Sequence, residues 1–180
     1  MLELEVKGGE LYDEVSEMFI SVKPVVLRLE HSLVSISKWE SIWKEPFLTR
    51  KDKTEQQTID YLMCMTLNQN VDPEVYKFIT PKQLKLINEY ISDEKTATTF
   101  NERHSGAPNR QVITSELIYF WMAQYNIPFD CQKWHLSRLL TLIRIASIKN
   151  APDKKMSRNA VLSQNRALNE ARRKALRTKG

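Results

Sequence analysis

The apolar pattern changes period once, near residue 31, and that single change limits the fold class. Leu2, Leu4 and Val6 alternate with Glu3 and Glu5, the two-residue period of a half-buried strand. Gly8-Gly9 is a turn signal. Residues 18–22 and 25–29 are short strand candidates with β-branched content, separated by Pro24 or carrying it at an edge. Two or three such strands make a small sheet that needs a helix on its apolar face. From Ser32 onward the apolar residues recur at helical spacing. The expected fold is α+β and predominantly α-helical, with a small N-terminal β-sheet packed on a bundle of about six helices and covered by the helix at 32–45. The chain has only four glycines, which argues against a glycine-rich phosphate loop and against a turn-rich all-β fold.

Proline and cap residues mark the helices. Ser32 is a plausible N-cap, although no Glu or Gln follows at the third position to complete a capping box. Glu45-Pro46 ends that first helix. Residues 53–67 read as a second helix, residues 72–79 as a short one and residues 80–92 as a third, the last two opening on Asp72-Pro73 and Thr80-Pro81. Residues 114–126 form a helix that is apolar nearly all round, so it is expected at the centre or at an interface. A long helix is expected from Cys131 to about Lys149, with Asp130 as its N-cap. The expected core includes Leu33, Ile36, Trp39, Leu62, Leu117, Trp121, Leu139 and Ile143. Residues 1–31 and 32–150 are expected to pack as one domain, followed by a basic helical arm at 151–180.

Charge is divided unevenly along the chain. Residues 149–180 carry ten Lys or Arg against Asp153 and Glu170, whereas residues 1–148 are mildly acidic. A basic arm of this kind meets nucleic acid, an acidic protein face or a membrane surface, or simply keeps the protein soluble. It lacks the interleaved aromatics that stack on single strands, so any nucleic-acid contact is expected to be with phosphates alone. Apolar residues make up 42% and charged residues 27%, the balance of a soluble globular chain with a core. No apolar run is long enough for a membrane span, and residues 1–6 lack the basic-then-apolar pattern of a signal peptide. Cys64 and Cys131 lie far apart in apolar helical segments, which suits a reducing cytoplasm.

Little in the pattern demands chemistry. Cys131 and His135 have the i, i+4 spacing that could place both on one helical face, but no third ligand lies near them. No nucleophile elbow, P-loop or dinucleotide fingerprint is present, and no paired carboxylates call for acid–base work. No catalytic residue, metal ligand or cofactor is expected, and the chain reads as a non-enzyme. Contacts with a partner are expected at Trp43, at the polar loop 93–111 with Phe100, His104 and Pro108, and at Arg166, Arg172 and Arg173 of the arm.

Three strings are distinctive: residues 29–41 (LEHSLVSISKWES), residues 126–136 (NIPFDCQKWHL) and residues 165–169 (NRALN). Together they resemble small proteins of long-tailed double-stranded DNA bacteriophages described as tail assembly chaperones or minor tail proteins. The resemblance spans nearly the whole chain. It implies a non-enzymatic protein that binds the long, apolar, helical tape measure protein during tail morphogenesis in the host cytoplasm. Self-association is also expected, as are contacts with other tail proteins. The alternatives are a virion structural protein, such as a tail or head–tail joining component, and an accessory protein that binds nucleic acid without sequence preference.

Overall fold

A computed structural model describes residues 1–13, 17–50, 52–100, 111–151 and 158–176. The fold is α+β and predominantly helical, with four short strands at the N-terminal end and six α-helices among the described residues. The chain divides into two units, Met1–Ser147 and Ile148–Gly180.

The strands are β1 (Leu2–Val6), β2 (Gly9–Asp13), β3 (Met18–Val22) and β4 (Val25–Leu29). Antiparallel β1 and β4 pair from Leu2 opposite Leu29 to Val6 opposite Val25. Antiparallel β2 and β3 pair from Gly9 opposite Val22 to Asp13 opposite Met18, so the register carries across the break without gaining or losing a residue. The two ladders are therefore successive halves of one ribbon, interrupted by Lys7-Gly8 on one side and Lys23-Pro24 on the other. Proline has no N–H to give the ladder. Gly8-Gly9 is not the reversal its sequence suggested, because the chain turns back between Asp13 and Met18. A Cβ on Gly8 would lie 1.9 Å from the carbonyl oxygen of Val22. Gly8→Ala is expected to cost about 2 kcal/mol in urea unfolding, since the clashing atoms are backbone and cannot swing away; an unchanged midpoint would show that the ribbon yields there.

The second edge of β4 is paired without a further strand. Leu67 N–H donates to the Arg28 carbonyl at 2.8 Å, and Glu30 N–H donates to Met65 O at 3.0 Å. The side-chain amide of Asn68 then imitates a backbone unit, accepting from Arg28 N–H at 2.7 Å and donating to Val26 O at 3.0 Å. This satisfies an edge that would otherwise be open. On the other side, Gln83 Nε2 donates to the Glu5 carbonyl of β1 at 2.7 Å.

Helix α1 spans Leu33–Trp43, α2 Glu55–Met65, α3 Pro81–Ser92, α4 Ser115–Gln124, α5 Leu136–Asn150 and α6 Arg158–Leu176. A capping box does open α1, contrary to the sequence expectation. Ser35 takes the part usually played by Glu or Gln, its Oγ accepting from Ser32 N–H at 3.0 Å while Ser35 N–H donates to Ser32 Oγ. Lys44, left-handed at φ 56°, ends α1 just before Glu45-Pro46. Thr54 with Gln57 and Thr80 with Gln83 form the ordinary capping boxes of α2 and α3. Residues Pro73–Phe78 wind as a 3₁₀ turn rather than an α-helix.

Leu33, Ile36, Trp39, Leu62, Leu139 and Ile143 are buried as expected. Leu117 and Trp121 are only half-buried, because α4 turns Ser115, Ile118 and Met122 inward instead. Helix α1 packs most extensively on α2, and then on α4, while β1 meets α3. The single helix expected from Cys131 is also divided. Phe129–Lys133 forms a 3₁₀ turn preceded by Pro128, with Asp130 inside it rather than capping it. Trp134 is extended at ψ 161°. His135 then pairs with Ser32 in a β-bridge. Leu136 N–H donates to the His31 carbonyl at 2.8 Å, so the start of α5 is fastened to the end of the β4 strand.

Candidate functional site

The sequence-chosen residues fall in separate places. Trp43 stacks on Trp39, ring centroids 6.3 Å apart, and its indole N–H donates to Asp60 Oδ2 at 3.1 Å. Much of its ring is thus engaged between α1 and α2. Phe100 lies under the Arg144 guanidinium, 4.0 Å from the ring centroid. Together they border an open groove of about 610 Å³, with Glu94, Thr98, Ser137 and Thr141 among its other walls. His104 and Pro108 lie outside the described residues, as does the Lys154-Lys155 pair. Arg166, Arg172 and Arg173 are exposed on α6. The seven-residue spacing puts Arg166 and Arg173 on one face, with Arg172 turned away from it.

A buried cluster that the sequence did not reveal joins β4, α2, α3 and α5. The rings of His31 and His135 meet edge to face at 5.3 Å between centroids, both almost fully buried. His31 Nδ1 shares a hydrogen bond with the Tyr61 hydroxyl. His135 Nε2 lies 3.0 Å from the Tyr90 carbonyl, which can only accept, so Nε2 carries a hydrogen. His135 Nδ1 lies 2.8 Å from Ser137 Oγ, and that hydroxyl also reaches the Glu94 carbonyl at 2.5 Å. The Tyr90 hydroxyl donates to Glu30 Oε1 at 2.7 Å. Burial, and next the nearby His135, push His31 down to about 4, while Glu30 opposes the shift. Burial raises both phenols, and at Tyr90 the hydrogen bond to Glu30 raises it further. The cluster is thus a set of protonated phenols around a neutral His31, a hydrogen-bonded joint that ties three helices to the ribbon.

Cys131 and His135 are not on one helical face, because the break at Trp134 separates the 3₁₀ turn from α5. Among the described residues no group of three His, Cys, Asp or Glu side chains could hold a metal ion. Among them, too, no helix is long and apolar enough to cross a membrane.

Three aromatic side chains on α4 and in the segment after it stay in water. Phe120 of α4 is 60% exposed, Phe129 of the following 3₁₀ turn 54% and Trp134 37%. Tyr119 sits 6.3 Å from Phe129, and its hydroxyl donates to Gln132 Oε1 at 2.8 Å. The Arg138 guanidinium covers one face of Trp134 at 4.5 Å. The signal for an exposed Phe120 was present in the sequence: α4 has more apolar side chains than one buried stripe can take. Phe129 and Trp134 both belong to the string at residues 126–136, one of the three distinctive strings. Two of those strings meet in space, through the Ser32–His135 bridge and the His31–His135 contact, and their shared residues are mostly buried. No protein-family model, curated protein or solved structure matches this chain.

Proposed function

We propose that this protein is a non-enzymatic tail assembly chaperone of a long-tailed bacteriophage, which covers apolar stretches of the helical tape measure protein in the host cytoplasm. The observation that supports this reading is the exposure of three large aromatic side chains on α4 and in the segment after it, Phe120, Phe129 and Trp134. Large aromatic side chains left in water, rimmed by Arg138 and Gln132, suit an apolar partner helix better than they suit solvent. The resemblance of the three sequence strings is the ground for naming the tape measure protein as that partner.

Co-expression tests the reading. The tape measure protein is expected to be insoluble alone and soluble with this protein. Phe120→Ser/Phe129→Ser is expected to reduce the solubilised fraction about tenfold while its own thermal unfolding stays close to that of the parent, as suits two exposed side chains. A tape measure that is soluble alone, or a double variant that works as well as the parent, overturns the proposal. Quantitative mass spectrometry separates the rivals. Abundance in infected-cell lysate with absence from virions fits a chaperone, whereas fixed copies per virion make the protein a structural component. Retention on DNA that falls steeply with salt would favour the nucleic-acid reading.

A further inference from the structure

The outer half of the ribbon and helix α6 carry opposite charges and each exposes apolar side chains. Residues 9–22 contain Glu10, Asp13, Glu14 and Glu17 and no Lys or Arg. Tyr12 and Phe19 are directly opposed across β2 and β3, with ring centroids 5.2 Å apart. They point to the face away from Leu11 and Ile20, which pack on the core. Tyr12 is 54% exposed and Phe19 72%. Glu10, two residues from Tyr12, shares that face and is also exposed.

Residues 158–176 contain five Lys or Arg and one acidic residue, Glu170. Every side chain from Leu162 to Leu176 is exposed. Alternating steps of four and three residues place Leu162, Arg166, Asn169, Arg173 and Leu176 on one face. That face has a leucine at each end and two arginines between them. A helix of this composition has little reason to be stable in water without a surface to rest on.

We infer that the chain self-associates head to tail, the Tyr12–Phe19 face of one copy seating on the Leu162–Leu176 face of α6 in a second copy. The aromatic pair lies against the leucines, and Glu10 and Glu17 meet Arg166 and Arg173. The dimensions agree: five strand residues span about 17 Å, and fourteen residues of helix rise about 21 Å. Because the two patches differ, each copy keeps one unused patch, and association continues to a ring or a filament. The proposal does not depend on the tape measure as partner.

Sedimentation velocity of the full chain tests it. The parent is expected to associate increasingly with concentration, and less so in high salt, which screens the charge contribution. Tyr12→Ser/Phe19→Ser and Arg166→Glu/Arg173→Glu each remove one patch and are each expected to weaken association at least about tenfold. All four positions are exposed, and circular dichroism verifies that each variant remains folded. Mixing the two variants is the decisive step. One retains the helix patch and the other the ribbon patch, so the mixture is expected to give a one-to-one complex that grows no further. A parent that is monomeric throughout, a variant that associates like the parent, or a mixture that forms no complex overturns the proposal.

Discussion

Replacing Glu40 by alanine is expected to lower the unfolding free energy by about 3 to 4 kcal/mol. Nothing local in the sequence singles this residue out, since a glutamate near the end of an amphipathic helix usually lies in water. In the fold it is buried. One carboxylate oxygen accepts from Phe47 N–H at 2.9 Å, which holds the chain leaving α1. The other accepts from Ser115 N–H at 2.7 Å, across 75 residues, at the first turn of α4. A carboxylate at a helix N-terminus answers both the unpaired amides and the positive end of the helix dipole. Alanine leaves two buried amides without an acceptor. Glu40→Gln keeps one acceptor oxygen and sets an NH2 group against the other amide, so its loss is expected to fall between those of the parent and alanine variants. Urea unfolding of the three proteins checks the ordering. A loss below about 0.5 kcal/mol for alanine would mean that Glu40 behaves as a surface residue and that the Ser115 contact is dispensable.

What was legible in the sequence was local. Thr80-Pro81 and Asp72-Pro73 announced helix starts because caps and N1 prolines act within one turn. The strands 18–22 and 25–29 were legible because β-branched residues cluster there. Strand β2 was not, because the glycine pair before it reads as a reversal, and only the register with β3 shows that it continues the ribbon. The start of α5 was misplaced for a related reason. Residues 131–135 have helical composition, but His135 and Leu136 are claimed by Ser32 and His31 from about a hundred residues earlier. The phase of α4 was ambiguous because its apolar residues encircle it, and only its neighbours select Ile118 and Met122 for burial over Leu117 and Trp121. The site followed the same rule. The aromatic excess of α4 was visible, whereas the histidine pair, 104 positions apart, had no local signature.

That pair makes the fold sensitive to acid. His31 is neutral in the native state, its ordinary value of 6.5 pushed down to about 4. The titratable groups around it are Glu30 just after β4, Tyr61 of α2 and His135 before α5, with Tyr90 of α3 reaching Glu30 and His135 behind them, and Glu30 is the one carboxylate among them. Above pH 6.5 neither the native nor the unfolded chain protonates this ring, and its contribution to stability is constant. As the pH falls from 6.5 towards 4, the unfolded chain takes up a proton that the native chain refuses. Stability drops over that window by about 3 kcal/mol and then levels off for this group. His31→Gln offers the Tyr61 hydroxyl either an acceptor oxygen or a donor NH2 but cannot titrate. Urea unfolding from pH 7 to pH 4 is expected to show the parent losing about 3 kcal/mol more than His31→Gln, with the carboxylates common to both cancelling in the difference. Parallel curves for the two proteins would mean that the ring is hydrated or already charged at neutral pH. The joint would then not be the sealed contact that fastens α5 to the ribbon.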